Sequence, residues 1–445
     1  MRWLGLLPSA SLALLALCIA PGCATYSDKL EKTRVAVSAG QYDVGIAQLD
    51  DILDVDDSAT VPDRFDSDAA LALLERGTLK QATEVYPGSA RDFSAADKEL
   101  ELLDIANDTA GDIGKYVFSD SSTKYRSSPT EKLALNGFNM LNYLAEGDLA
   151  GSRVEARRFT VMQQYLNSFD PETAHVAFGS YIAGFTLEKL GEPNSAMRYY
   201  DEALQQQSFD SLKAPVARLA KLTNYRGERI ADFLAGAGDT KPLANGDAEL
   251  LVVVSVGRVP HKVPERMPLG LAIGMAGTYI SGDPAVLGYT ATKVVVYPEL
   301  VPSESAIGEA RVSVDGRAAP LELASQLGVE IAREYEELKP RILGAAISRM
   351  IVRAAAAEGM RQAGQEDSEG LGWALALLTE AFLVAADKPD TRSWIFLPDR
   401  VYLHRSRLEP GRHEITVDLG AAGTRTRTVE IPRGGFAVVV ATAPQ

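Results

Sequence analysis

The chain has 445 residues, with 60 acidic side chains against 45 basic ones and a net charge of −15. A balance this acidic argues against nucleic acid and against charge-driven adhesion to anionic lipid. Its two cysteines, Cys18 and Cys23, both lie near the start, so a chain beginning at Cys23 with that thiol consumed has none left for catalysis, a thiolate zinc site or an intramolecular disulfide.

Met1-Arg2 and the apolar residues 4–20 read as the n-region and h-region of a secretory signal, too short and interrupted for a comfortable spanning helix. Ala20-Pro21-Gly22-Cys23 resembles the lipobox of bacterial lipoproteins, in which Gly22 is the small residue before the cut. The resemblance implies removal of residues 1–22, lipid on Cys23 and, with Ala24 instead of Asp next, an outer-membrane address facing the periplasm. The alternative is an ordinary cut after Ala24. Several acyl chains would anchor firmly where a single one holds only marginally.

A repeat follows. In residues 179–207, Gly184, Leu187, Gly191, Ala196, Tyr200 and Ala203 keep a spacing in which small residues let two helices approach and an aromatic fills the gap between hairpins. The same relative spacing holds Gly77, Tyr86, Ser89, Phe93 and Ala96; then Tyr143, Gly147, Ser152 and Ala156; and more weakly Gly40, Tyr42, Gly45 and Leu49. The pattern resembles the tetratricopeptide repeat. The turn positions 40, 84, 147 and 191 lie 44, 63 and 44 residues apart, against a usual period of about 34, so insertions such as 119–129 interrupt the array. A helical solenoid over residues 23–234 is expected, with a generic helical bundle as the alternative. Arg153, Arg157 and Arg158 share a helix with Glu155 and read as a solvated or paired face. Phe178, Tyr181, Phe185 and Glu188 fall on one face of the first helix of the fourth hairpin. In tetratricopeptide arrays that helix lines the concave groove, so the stripe is the expected partner-binding site; the alternative is that the chain's own second half covers it.

A Gly/Pro/Asn linker at 235–247 separates this half from a β-rich one at 248–445. Residues 249–259 and 292–300 read as strands, and Asp315-Gly316 between alternating segments signals a hairpin. A helical insertion is expected at about 325–387: an amphipathic helix over 325–339 ended by Pro340, then two apolar runs at 341–360 and 370–387. Those runs read as buried or interface helices, with a membrane hairpin as the alternative. The end returns to strands, in "SWIFL", "RVYLHRSRL", "HEITVDL", "TRTVEI" and "FAVVVAT". Leu408, Pro410, Gly411, His413, Ile415 and Val417 fit a hairpin similar to that of small sandwich domains of the PEGA type. The expected fold class is therefore α+β, an N-terminal tetratricopeptide-like solenoid followed by a sandwich-like domain with inserted helices. Together, "LNYLAEGDLAGSRVEARR" and "DTRSWIFLPDRVYL" resemble an uncharacterised family of bacterial outer-membrane lipoproteins with this two-half organisation.

The chemistry is sparse. None of His175, His261, His404 and His413 is spaced from another as a zinc motif requires. Ser121 and Lys124 match S-x-x-K in a polar insertion with no K-T-G after it. Residues 54–65 lack the glycine and terminal glutamate of a calcium loop. No catalytic residue, metal or cofactor is therefore assigned, and the expected function is a lipid-anchored periplasmic scaffold binding an envelope protein or peptide, not an enzyme. A glycan-binding lipoprotein using Trp373 and Trp394, or a hydrolase with unrecognised carboxylates, are the alternatives. Residues 24–240 are expected to fold alone, because repeat hairpins bury their surfaces on neighbours.

Overall fold

A computed structural model describes residues 24–66, 68–102, 125–167, 176–205, 207–225, 227–236, 247–289, 294–305, 307–365 and 389–445. Cys23, His175, Ser121, Lys124, Trp373 and the apolar run at 370–387 lie outside them.

The first half is helical: a short α1 (Tyr26–Lys29), then four hairpins, α2 (Glu31–Ser38) with α3 (Tyr42–Leu53), α4 (Ala69–Ala82) with α5 (Tyr86–Glu99), α6 (Pro129–Ala145) with α7 (Leu149–Asn167), and α8 (Ala177–Lys189) with α9 (Pro193–Ala203). A two-residue parallel pair, β1 (Glu101–Leu102) and β2 (Arg126–Ser127), precedes α6, and α10 (Lys213–Leu219) and α11 (Glu228–Gly236) close the half. The four hairpin turns are copies of one another. Gly40, Gly147 and Gly191 each have φ 73°, and Glu84 has φ 64° at the equivalent place. At each, the turn N–H donates to the carbonyl three residues back and the next N–H to the carbonyl five back, as in Gly191 to Glu188 and Glu192 to Leu187. This is the Schellman closure that satisfies the last carbonyls of a helix, and it needs the left-handed conformation.

Close approach within the hairpins follows from paired sizes. A Cβ on Gly184 would lie 2.5 Å from the Tyr200 ring, and one on Gly77 2.6 Å from Phe93. The equivalent positions of the third hairpin carry Met140 and Ala156, both fully buried, so the bulk sits on the other helix. Ala196 and Ala203 are likewise buried.

The second half begins with β3 (Ala248–Val256), buried at every residue. A sheet runs β12-β3-β9-β8, with β8 (Glu322–Gln326), β9 (Arg400–Leu408) and β12 (Phe436–Ala443); β12 is parallel to β3 and the other pairings are antiparallel. A second sheet runs β11-β10-β6-β7, from β6 (Arg311–Val314), β7 (Arg317–Ala319), β10 (Gly411–Asp418) and β11 (Thr424–Ile431). Leu250, Val252 and Val254 of β3 meet Val312, Val314, Ile415 and Val417 of the second sheet in one core. Leu251 and Val253, on the opposite face, join the helical core. The molecule is thus layered as helices, sheet, sheet, and residues 250–254 of β3 are all apolar because both faces of the strand are covered. Beside these layers, the antiparallel pair β4 (His261–Pro268) and β5 (Val294–Val301) packs with α12 (Leu269–Ala276), which lies between them in sequence, and α13 (Leu327–Gln365) around a third core.

The mixed α+β class, helices first and sheets second, is as expected. Four details differ. The amphipathic helix does not stop at Pro340, which lies inside the 39-residue α13. A proline removes one backbone bond, but Leu343, Ala346, Ile347 and Ile351 beyond it are held in the third core. "SWIFL" is no strand; residues 391–397 are irregular and buried among the helices. The PEGA-like segment makes no hairpin, because β9 and β10 belong to different sheets and β10 pairs with β11 and β6. Finally, the halves are not separate units, since one core holds Phe93, Phe138, Phe178 and Phe185 together with Leu251, Trp394, Phe396, Leu403 and Val440. Among the described residues no helix is long and apolar enough to cross a membrane.

Candidate functional site

The first helices of the second, third and fourth hairpins, α4, α6 and α8, face the sheet: α4 and α6 meet β12, and α8 meets β8. The expected partner stripe is therefore sealed. Phe178, Tyr181 and Phe185 are fully buried, with Phe178 5.1 Å from Phe138, Tyr181 5.2 Å from Phe209 and Phe185 5.5 Å from Phe436 of β12. Glu188 is also inside. It accepts from Arg405 of β9 at 2.8 Å, pairs with Arg218, and takes the Tyr200 hydroxyl at 2.7 Å. Arg405 in turn bonds Glu249 at 2.5 Å and Tyr200 at 2.9 Å, and its guanidinium lies 4.9 Å from the Phe185 ring. Burial pushes the Glu188 carboxyl up, and Arg405, Lys189 and Arg218 together hold it well below the usual carboxylate range. The stripe is covered in cis: β12 meets Phe185 and β9 brings Arg405 to Glu188, while Phe178 and Tyr181 pack on Phe138 and Phe209 of the helical half.

The rest of the groove is occupied by residues 391–397. Glu75 of α4 accepts the N–H of Ile395 at 2.7 Å and of Phe396 at 2.8 Å, Thr78 accepts the Trp394 indole at 3.0 Å, and Glu131 of α6 accepts the Trp394 N–H at 2.9 Å. Tyr86, expected in repeat packing, packs against the helical core and its hydroxyl donates to the Val440 carbonyl of β12 at 3.0 Å. Tyr143 is half-buried, with its ring against Gly151 across the third turn.

Where this cis-bound segment leaves the groove, the two halves enclose a cavity of 140 Å³. Its apolar wall comes from Ile331, Leu338 and Ile342 of α13 and from Val259, Pro298 and Leu300 beside and on the β4–β5 pair. Its polar wall is built at the N-terminus of α6. Ser128 and Glu131 form a capping box there, with Pro129 in the first turn. Glu131 also accepts the Tyr125 hydroxyl at 2.6 Å, so one carboxylate caps a helix, fixes a tyrosine and holds the Trp394 backbone. Across from it stands Glu334 of α13, 3% exposed, whose Oε1 accepts from Thr130 N at 2.9 Å and Thr130 Oγ1 at 2.7 Å. Its Oε2 is buried and takes no hydrogen bond among the described residues. Burial pushes the Glu334 carboxyl up to about 7; the Thr130 and Ser128 hydroxyls work against the shift and Glu131 adds to it. One turn earlier Glu330 is pushed up to about 8, by burial and then by Glu334. At the other end Asp390 and Arg392 pair at 2.7 Å, and Lys262 donates to the Arg392 carbonyl at 3.3 Å.

The described histidines lie apart from one another, each with its own partners. His413 pairs with Asp315 at 2.7 Å and His404 bonds the Pro320 carbonyl at 2.8 Å, beside an open groove lined by Arg317 and Ser406. His261 contacts Arg34 at 2.5 Å, and burial with that neighbour lowers it to about 4, so it is neutral at pH 7. Among the described residues no group of three or more His, Cys, Asp or Glu is placed to hold a metal ion.

The sequence reading missed Glu334, yet a signal was present. Leu327, Ile331, Glu334 and Leu338 are spaced four, three and four apart, which puts a carboxylate on the apolar stripe of an amphipathic helix. Ser128-Pro129-Thr130-Glu131 is equally legible as a capping box. Nothing local announces Arg405 or Glu75, whose partners are more than 150 residues away. No protein-family model, curated protein or solved structure matches the chain.

Proposed function

We propose that the chain is an outer-membrane lipoprotein, anchored through Cys23, that serves as a periplasmic adaptor and recognises an envelope partner at the cavity between its halves. In this reading the four hairpins are tetratricopeptide-like and act as a frame, with the concave groove given over to the chain's own residues 391–397 and β12. The observation that carries it is Glu334, a buried side chain on the cavity wall with one oxygen left without a hydrogen bond. Native proteins satisfy nearly all such groups, so an acceptor on a cavity wall with no protein partner is a natural contact point for a donor on a bound ligand. Glu131, Tyr125 and Ser128 are committed to one another, and Asp390 to Arg392, which makes those parts of the wall rigid and suits recognition more than chemistry.

The test is a photo-crosslinking residue placed in cells at Ile342, on the cavity wall, or at Val329, 62% exposed on the same helix. An envelope adduct is expected from position 342 and not from 329. Equal yields at both, or none at 342, refute the cavity as the site. The anchor is tested in the same strain: Cys23→Ala is expected to abolish palmitate-analogue labelling and membrane association, while Cys18→Ala does neither. Unchanged labelling of the Cys23 variant overturns the anchor. A carboxyl near 7 in a cavity also fits a general acid, which supports a hydrolase as the second reading.

A further inference from the structure

We infer that the cavity takes a primary ammonium group on an aliphatic stem, the chemistry of a lysine side chain, with Glu334 as its ion-pairing partner. The inference rests on reading the cavity as the recognition site, and it names what a partner must present there.

Size comes first. An apolar cavity of about 150 Å³ accepts a benzene-sized molecule, and this one measures 140 Å³. It therefore accommodates a group of about six heavy atoms, and a lysine side chain has about five beyond the backbone. Shape and polarity agree. Ile331, Leu338 and Ile342 lie at helical spacing along one side of the space, with Val259, Pro298 and Leu300 on another, a sleeve for methylenes. Amphipathic side chains bury such stems along apolar surface while the charged head finds a polar contact.

The sign of the head group follows from what faces Glu334. From α6 it meets the Ser128 and Thr130 hydroxyls and the carboxyl of Glu131, and from α13 the carboxyl of Glu330. Burial is the main cause of the raised Glu334 carboxyl, and Glu131 adds to it. Arg392 is paired with Asp390, Lys262 donates to the Arg392 carbonyl, and Arg126 and Arg349 have interactions of their own. The lining carries Glu131, Glu334 and Asp390 alongside Arg126, Lys262, Arg349 and Arg392; at Glu334 itself an anion would face the carboxyls of Glu131 and Glu330, whereas an ammonium would donate to the orphaned Oε2 and neutralise the buried carboxylate.

Calorimetry on the full chain at pH 8 would compare pentylamine and Nα-acetyl-lysinamide, as free amine and lysine side chain, with pentanoate and pentanol as matched probes. One-to-one binding of an ammonium probe is expected, at least tenfold tighter than either control; which of the two amines binds better tells a free amine from a protein lysine. Glu334→Gln keeps the shape and removes the charge, so it should weaken ammonium binding at least tenfold without lowering the unfolding midpoint. Affinity should also fall as pH drops below about 7, because Glu334 must give up its proton to form the pair. A purely structural Glu334 would show neither effect. Equal or tighter binding of pentanoate, or an unchanged affinity in Glu334→Gln, overturns the ammonium assignment and leaves the cavity as a site for another ligand. Failure of all four probes to bind overturns it as well, and the crosslink at position 342 then decides whether the cavity reading survives.

Discussion

Phe185→Ala separates a groove open to partners from one sealed by the chain itself. Phe185 is fully buried, stands edge-on to Phe436 at 5.5 Å and 85°, and has the Arg405 guanidinium and the Lys189 ammonium each 4.9 Å from its ring centre. Truncating a buried phenylalanine costs about 3–5 kcal/mol, from lost transfer energy plus the cavity left behind. The edge-on pair adds ~0.5–1.5 kcal/mol, and each cation–π contact ~0.5–1 kcal/mol, partly counted already. A total of about 4–6 kcal/mol is then expected, a large share of a domain stability of roughly 5–15 kcal/mol. The assay is urea unfolding of the full chain, followed by far-ultraviolet circular dichroism and by tryptophan emission, since Trp394 sits in the seam. Val329→Ala, at a 62% exposed site, is the control and should stay within about 0.5 kcal/mol. The two probes should fall together, because helices and sheet share one core. A Phe185→Ala midpoint indistinguishable from the control would refute the sealed groove, since an exposed anchor contributes to binding and not to folding.

Two further outcomes follow. A fragment of residues 24–236 should be poorly soluble and lack a cooperative melt, against the expectation from the repeat pattern alone, because Leu251, Trp394, Phe396 and Val440 are missing from its core; a sharp, reversible melt of the isolated fragment would overturn this. Glu334, at about 7 in the folded chain against an ordinary carboxyl near 4.5, makes the folded state bind more protons than the unfolded one between those values, so its contribution to stability is greatest below about pH 4.5 and is lost as pH rises through 7. Glu334→Gln should therefore lessen the fall in stability between pH 5 and pH 8, by up to about 3 kcal/mol from the size of the shift, as read from denaturant midpoints at both pH values; parallel profiles for variant and parent would refute the assignment.

Several features of this protein were fixed within short windows of sequence. Spacing alone located four equivalent turns, and all four adopt the same left-handed closure, even at Glu84 where no glycine marks it. Asp315-Gly316, with φ 51° and 74°, makes the hairpin its dipeptide announces, and the β-branched stretch within residues 249–259 forms the strand it reads as. These are decided by backbone sterics and periodicity over a few residues, so the information is local. What tertiary structure decided is how surfaces so defined were used. The aromatic stripe of α8 was legible as a helical face, but a face carries no label for its occupant, and the occupant comes from β9 and β12, some 200 residues away. Helix α13 runs through Pro340 because its far end packs into a core, and the N–H groups of Trp394, Ile395 and Phe396 in "SWIFL" are held by Glu131 and Glu75 and not by a neighbouring strand. Glu334 acquires an orphaned oxygen and a raised pKa only when α6 closes over α13. Each of these depends on pairing groups far apart in the chain, and a single sequence specifies the groups without specifying the pairs.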